Sequence, residues 1–211
     1  MSSDPPSGAP SSGPEPTLAA RVKAGGLELL EALESHLPGA RGHADGTAAY
    51  AFAAAVELDL ERDHAEAVRE TARLHDVGSV YLPAELLAKP AGELTAEEQA
   101  LLDSRFARGA ELARGAGIPE RACEWIGVIR ERFDGGGPAG LAGEGIPIES
   151  RIVRVACACD TALAAPALGG ASPDERRRSA VAALRAAAGT ELDPHVTGAL
   201  EAMLERAAAG P

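Results

Sequence analysis

The chain has 211 residues and a net charge of −12 at pH 7, which suits one ordinary domain with a real core and argues against a DNA or RNA partner. Aromatic residues make up only 3 % of the chain and alanine is abundant, which favours helices that pack through small side chains. No stretch approaches the roughly 20 apolar residues of a membrane span, and the polar N-terminus is not a secretory signal. The chain has three cysteines, an odd number that does not suit a framework of disulfide pairs, and this indicates a reducing cytoplasm.

In chain order, residues 1–16 are rich in proline, serine and glycine, and we expect them to form a disordered tail. Apolar spacing then predicts one helical domain over residues 17–208. Helices are predicted from Thr17 to about 37, then over 43–58, 63–75, 95–113, from Pro119 onward, and over 149–164, 172–188 and 193–208. The segments 78–94 and 134–147 are expected to be irregular because proline and glycine interrupt them. The fold class is therefore all-α, a multi-helix bundle.

The dipeptide His75-Asp76 at a predicted helix end is the most informative chemical feature. At a helix terminus both side chains can converge on one ion, and imidazole nitrogen with carboxylate oxygen suits a divalent first-row metal. Taken alone such a pair is a weak signal, because a helix-end histidine beside a capping carboxylate is common.

Three longer segments strengthen this interpretation. The run ARLHDVGSVYLPAELLAKPAGELTAEEQALL resembles the signature of HD-GYP domains, in which the HD pair precedes a segment similar to KPGKLTPEE. The runs RERFDGGGPAGLAGEGIPIESRIVRVA and AGTELDPHV are similar to two further elements of that family, and Gly42-His43 matches its first ligand helix. The resemblance implies an HD-type helical bundle in a cytoplasmic bacterial signalling protein. It also implies hydrolysis of cyclic di-GMP by two or three metal ions that share a bridging hydroxide.

The chain departs from that family at most of its metal ligands. By the resemblance His43, His75 and Asp76 are kept, whereas four other ligand positions fall on side chains of different chemistry. These are Arg105, Ile129, Arg130 and Cys157. The resemblance therefore predicts a degenerate member without dinuclear phosphodiesterase activity, for which no catalytic residue is assigned beyond Asp76 if activity remains.

The two arginines allow two interpretations. Arg105 and Arg130 are permanently cationic and repel metal ions. Their planar guanidinium groups can instead supply the positive charge that the metals supply in the family, by pairing with Asp76 or with a phosphate. The alternative is that they are solvated, or that they pair with Glu111 and Glu131.

A reduced metal site is the second hypothesis for the same residues. His43, His75 and Asp76 form a set of two imidazoles and one carboxylate that can hold a single divalent transition metal. Cys157 offers a zinc-binding thiolate, and Asp160 lies one helical turn further along. Against this, Cys157 and Cys159 on an apolar helix are typical of small core residues.

Three functions follow from these observations. The first is a degenerate HD-GYP-like domain that binds a cyclic dinucleotide, another phosphate ligand or a protein partner. The second is a mononuclear metal-dependent phosphohydrolase that uses His43, His75 and Asp76. The third is a structural or dimerisation module, which predicts neither metal nor nucleotide.

Overall fold

The computed structural model describes residues 15–165 and 169–209, so the predicted disorder of residues 1–16 falls almost entirely outside the described part. Within it the chain forms nine α-helices and no strand, with a single bridge between Ala188 and Leu192. The prediction of an all-α bundle is confirmed. The helices are α1 Leu18–His36, α2 Ala40–Glu57, α3 Arg62–Arg73, α4 Ala84–Leu87, α5 Ala96–Gly115, α6 Glu120–Gly127, α7 Ile148–Ala164, α8 Pro173–Ala187 and α9 Pro194–Ala209.

Local sequence explains where several helices begin. The Thr95 hydroxyl accepts from the backbone N–H of Glu98 at 3.2 Å, and the Glu98 carboxylate accepts from the Thr95 N–H at 2.9 Å. Ser172 and Glu175 repeat this reciprocal capping box at the start of α8. The predicted starts of α5 and α8 are therefore fixed by side chains that satisfy otherwise orphaned amide groups.

Helix α2 lies at the centre of the bundle and packs against α3, α7 and α9. Its inward face consists of small residues, and the buried alanines are Ala44, Ala48, Ala51, Ala54 and Ala55. Small side chains let the neighbouring helix axes approach closely. The first half of α2, the end of α3 and the middle of α7 thereby meet around one point inside the bundle.

The turn after α3 crosses α5 at very short range. Residues Val77–Tyr81 form a 3-10 helix, and a Cβ atom added to Gly78 would lie 1.8 Å from the backbone oxygen of Arg105. Only glycine fits at this crossing. The contact brings Arg105 on α5 beside the residues that follow α3.

Some local predictions were wrong. Helix α2 begins at Ala40, three residues before the predicted start, because Gly39 takes a left-handed conformation with φ 93° and the helix starts directly after it. The segment 78–94 is less irregular than predicted, since it holds α4 and two 3-10 turns.

No helix of the described ranges is long and apolar enough to cross a membrane.

Candidate metal centre and adjoining cleft

Three side chains from separate elements converge inside the bundle. His43 lies on α2, His75 lies just after α3 and Cys157 lies on α7. One ligand atom from each lies within 4.8 Å of the others, and the Cys157 Sγ is 3.6 Å from Nε2 of His43. The two imidazole rings meet edge to face with centroids 5.1 Å apart. We call His43, His75 and Cys157 the His-Cys cluster.

The outer nitrogen of each imidazole is held by a hydrogen-bond acceptor. Nδ1 of His43 lies 2.7 Å from the Asp160 carboxylate, and Nδ1 of His75 lies 2.8 Å from the backbone oxygen of Ala72. Both contacts favour a proton on Nδ1 and a lone pair on Nε2, the arrangement typical of metal-binding histidines. Nε2 of His75 is buried, and no hydrogen-bond partner for it exists among the described residues.

A glycine makes room for the Asp160 carboxylate. A Cβ atom added to Gly46 on α2 would lie 2.1 Å from Oδ1 of Asp160. Asp160 therefore reaches His43 only because position 46 has no side chain. It acts on the cluster from outside, as a partner of His43, and does not point its oxygens at Cys157.

Asp76 is turned partly away from the cluster. Its Oδ1 accepts from Nε of Arg105 at 3.1 Å, while its Oδ2 lies 3.4 Å from Nε2 of His75. Asp76 is not part of the group whose ligand atoms all lie within 4.8 Å. The structure thus sets Cys157 beside the two histidines and pairs the carboxylate of the HD motif with an arginine.

The acidic groups around the His-Cys cluster stabilise positive charge on its two imidazoles. The hydrogen bond that His43 donates to the Asp160 carboxylate, followed by its hydrogen bond with Cys157, raises the pKa of His43 to about 10. Burial opposes protonation of His75, but the Asp76 carboxylate and Cys157 outweigh it and raise its pKa to about 9. Burial likewise opposes ionisation of the Cys157 thiol, yet His75 and His43 lower its pKa to about 6. Burial also disfavours the Asp76 carboxylate, but His75 and Arg105 hold its pKa below the usual value.

The expectation that both cysteines are core residues was wrong for one of them. Cys159 is fully buried, whereas Cys157 is half-buried and faces the histidines. Two imidazole nitrogens and a thiolate fit a transition metal such as zinc, whose usual ligands are these atoms. Such an ion, when bound by His43, His75 and Cys157, would act as a Lewis acid toward a phosphate oxygen.

A cleft opens beside the His-Cys cluster. One cavity of about 400 Å³ is lined by Cys157 and by apolar side chains, among them Phe106, Ile129 and Leu184. A second cavity of about 590 Å³ shares Phe106 and Arg130 with the first and continues toward the glycine-rich segment after α6. Together the two volumes fall in the size range of small-molecule sites. We call them the apolar cavity and the polar cavity of the cleft.

Four arginines line this cleft, and two of them, Arg105 and Arg130, were candidates from the sequence. Arg105 lines the apolar cavity, Arg132 lines the polar cavity, and Arg130 and Arg154 line both. Sequence reasoning missed Arg154, although it precedes Cys157 by three residues on α7 and therefore shares its helix face.

The predicted pairing of the arginines with Glu111 and Glu131 was wrong. Arg105 pairs with Asp76, and Nε of Arg130 donates to Asp103 at 2.7 Å. Glu131 is buried and accepts two backbone N–H groups of the following loop. The other interpretation, in which an arginine pairs with the HD-motif carboxylate Asp76, is correct for Arg105.

Comparison with known proteins gives a family match over most of the chain. The family model described as "HD domain" matches residues 29–196. A relative from Xanthomonas campestris, named as cyclic di-GMP phosphodiesterase response regulator RpfG, is 36 % identical over 53 % of this chain and 30 % of its own length. The 3'3'-cGAMP-specific phosphodiesterase 1 of Vibrio cholerae is 36 % identical over 48 % of this chain and 24 % of its own. The chain thus matches less than a third of either relative.

Solved structures share the fold. Bd1817, an HDG"Y"P protein from Bdellovibrio bacteriovorus, superposes with a TM-score of 0.62 at 21 % identity, over 79 % of this chain and 52 % of that one. The HD domain of the Listeria monocytogenes phosphodiesterase PgpH in complex with cyclic-di-AMP gives a TM-score of 0.60 at 15 % identity, over 85 % and 96 % of the two chains. At these identities the likeness establishes the architecture alone.

Proposed function

Because the chain belongs to the HD domain family, we propose that it binds a cyclic dinucleotide and does not hydrolyse it by dinuclear metal chemistry. The two relatives named above are phosphodiesterases of cyclic di-GMP and of 3'3'-cGAMP, and the HD domain of PgpH is in complex with cyclic di-AMP. The proposal transfers that class of ligand to this chain and assigns the chain a binding role in signalling.

One contact carries the proposal. The Arg105 guanidinium lies 3.1 Å from Asp76, the carboxylate of the HD motif. A guanidinium supplies positive charge next to that carboxylate, but it stays protonated at any physiological pH and cannot generate a hydroxide. Dinuclear hydrolysis requires that hydroxide, held between two ions. The arginine thus provides positive charge that complements a phosphodiester, but the site lacks the metal-held hydroxide that would attack the phosphorus.

The cleft suits the two chemical halves of such a ligand. Arg130 and Arg154 line both cavities, and guanidinium forks bind phosphate oxygens through paired hydrogen bonds. Phe106, Ile129 and Leu184 offer an apolar surface against which a planar base can pack. A phosphodiester at the arginines would therefore set one base in the apolar cavity.

A second candidate function is a mononuclear metal-dependent phosphohydrolase. It is favoured by the buried Nε2 of His75, which points a lone pair into the His-Cys cluster without a hydrogen-bond partner among the described residues. In that case Asp76, 3.4 Å from this nitrogen, is the carboxylate nearest to an ion at the cluster. Hydrolysis of a phosphodiester that depends on His75 would favour this candidate.

Calorimetric titration with cyclic di-GMP, 3'3'-cGAMP and cyclic di-AMP tests the binding proposal. We expect saturable binding of at least one of them, weakened about tenfold or more by Arg130→Ala, because one charge-assisted hydrogen bond contributes about 1.5–3 kcal/mol. Arg185→Ala is the matched control, since Arg185 is an exposed arginine near the end of α8 that pairs with Glu201 of α9 and lines neither cavity of the cleft. Absence of binding by all three nucleotides would reject the proposal and favour a structural or dimerisation role. Equal affinity of Arg130→Ala and wild type would remove the cleft as the site.

A further inference from the structure

We infer that the His-Cys cluster is a site for a single thiophilic divalent cation, with zinc bound in preference to magnesium or manganese and Cys157 as the selecting ligand. The inference concerns the ion and holds whichever nucleotide the cleft binds. It assigns to Cys157 a role that neither the family match nor the named relatives give to any residue of this chain.

The spacing of the donor atoms agrees with a tetrahedral ion. Zinc binds sulfur at about 2.3 Å and imidazole nitrogen at about 2.0–2.1 Å, so two such bonds at a tetrahedral angle place the donors about 3.6 Å apart. The Cys157 Sγ and Nε2 of His43 are 3.6 Å apart. This one separation suits a shared tetrahedral ion, and all three donor atoms lie within 4.8 Å of one another.

The two histidines are also oriented in a way that suits ion binding. Asp160 holds Nδ1 of His43, and the backbone oxygen of Ala72 holds Nδ1 of His75. With the proton on Nδ1, each Nε2 carries the lone pair of its ring, and that of His43 lies 3.6 Å from the Cys157 Sγ. The Nε2 of His75 is buried 3.4 Å from the Asp76 carboxylate and makes no hydrogen bond among the described residues. Burial of a polar atom without a hydrogen bond costs free energy, which a bound ion would offset.

The type of donor sets the preference among metals. Magnesium and manganese favour sets of oxygen ligands, whereas thiolate and imidazole favour zinc. The nearest carboxylate, Asp76, has one oxygen committed to Arg105 and lies outside the group of mutually close donors. The positive charge of Arg105 also opposes a second ion on the Asp76 side. The structure therefore provides one nitrogen- and sulfur-rich position, with an open side toward the apolar cavity that Cys157 lines.

Cobalt(II) spectroscopy tests the assignment directly. The metal-free 211-residue chain is titrated with cobalt(II), which has the coordination preferences of zinc and shows a thiolate-to-cobalt charge-transfer band when sulfur is a ligand. We expect one cobalt per chain, the charge-transfer band, and displacement of cobalt by zinc but not by excess magnesium. Cys157→Ser should lose the band and reduce zinc affinity at least as much as the roughly 10- to 100-fold seen when an outer partner of a ligand is removed.

Cys159→Ser is the matched control. Cys159 lies two residues further along α7, is fully buried and is not a member of the cluster, so its replacement should leave the band and the stoichiometry unchanged. Cys157→Asp is a second variant, which should still bind an ion, lose the band and bind manganese more tightly than wild type does. Circular dichroism of each variant checks that the helices are intact.

Three results would overturn the inference: no cobalt binding, a cobalt complex of the wild type without the charge-transfer band, or a band that survives in Cys157→Ser. Nucleotide titration of the metal-free protein is a separate measurement. Loss of the metal site with retained nucleotide binding would therefore contradict this inference alone, and the converse would contradict only the proposed function.

Discussion

The Nε of Arg105 lies 3.1 Å from Oδ1 of Asp76, so that the carboxylate of the HD motif forms an ion pair with an arginine of a neighbouring helix. Both side chains are about three-quarters buried, with 22 % and 26 % of their surface exposed. A second hydrogen bond from the same guanidinium to the backbone oxygen of Leu102 fixes its orientation. The pair is therefore a defined part of the interior, and its strength can be measured.

Replacement of Arg105 by alanine should destabilise the protein. The Asp76 carboxylate would keep His75 as its neighbour but lose its guanidinium partner, and for a partly buried pair we expect a loss of about 1–2 kcal/mol in the free energy of unfolding. Urea unfolding in the presence of a chelator measures this without a contribution from metal. Arg114→Ala removes one member of the exposed pair Arg114–Glu120 and should change stability little. Equal stability of Arg105→Ala and wild type would show that the pair is not formed in solution.

A second prediction concerns Gly46, which leaves room for Asp160. In Gly46→Ala the new Cβ would meet Oδ1 of Asp160 at 2.1 Å, and the flexible carboxylate should move away from His43. Loss of this hydrogen bond should lower zinc affinity roughly 10- to 100-fold, as for other partners that orient a metal-binding histidine. Competition with a zinc indicator dye measures the change.

Gly42 provides the control for this prediction on the same helix. A Cβ at Gly42 meets no heavy atom within 4 Å, so Gly42→Ala should leave zinc affinity unchanged and increase helix stability slightly. A common effect of both substitutions would point to helix propensity, and the positioning role of Gly46 would then be rejected.

The crossing of Gly78 over α5 gives a third prediction. A Cβ at Gly78 would lie 1.8 Å from the backbone oxygen of Arg105 and 2.7 Å from the backbone nitrogen of Gly109, and backbone atoms cannot move aside as a side chain can. We expect Gly78→Ala to cost about 3 kcal/mol or to prevent folding, at the upper end of overpacking effects. Thermal unfolding of Gly92→Ala, where an added Cβ has open space, is the comparison. A Gly78→Ala protein with wild-type stability would contradict the close crossing.

The location of the nucleotide can be tested with two adjacent alanines. Ala182 and Ala183 are both exposed on α8, but only Ala183 lines the apolar cavity. Ala183→Trp should fill part of that cavity and weaken nucleotide binding about tenfold or more, equivalent to about 1.4 kcal/mol. Ala182→Trp carries the same bulk one position away and should bind as the wild type does. If the two variants behave alike, the ligand does not enter the apolar cavity.

The helical architecture could be predicted from the sequence because the signals that mark helices lie close together in the chain. Capping boxes at Thr95 and Ser172 and the periodic apolar residues of α3 and α7 depend on neighbours within one or two helical turns. The errors lie where the backbone leaves the regular pattern. Gly39 starts α2 early through a positive φ, and the 3-10 helix after His75 depends on its crossing with α5.

The candidate site could be predicted only in part. A resemblance could align His43, His75 and Asp76, but contacts between helices decide which side chains share a point in space. Whether Cys157 or Cys159 faces the histidines depends on the rotation of α7 about its axis, and two cysteines in an apolar helix do not determine that rotation. The partner of each arginine depends likewise on the rotamers of long side chains. The sequence therefore left two interpretations open, pairing with Asp76 or a phosphate, and solvation or pairing with Glu111 and Glu131.

The central claim, binding of a cyclic dinucleotide without dinuclear hydrolysis, is tested most directly by incubation with an excess of cyclic di-GMP. The full chain is supplied in parallel with zinc and with manganese, and the nucleotide is separated by chromatography after binding has reached equilibrium. We expect that the protein retains the nucleotide and that the nucleotide is recovered in its cyclic form under both conditions. Repeated turnover to linear dinucleotide or mononucleotide, lost in His75→Ala, would contradict the claim and establish a metal-dependent phosphodiesterase.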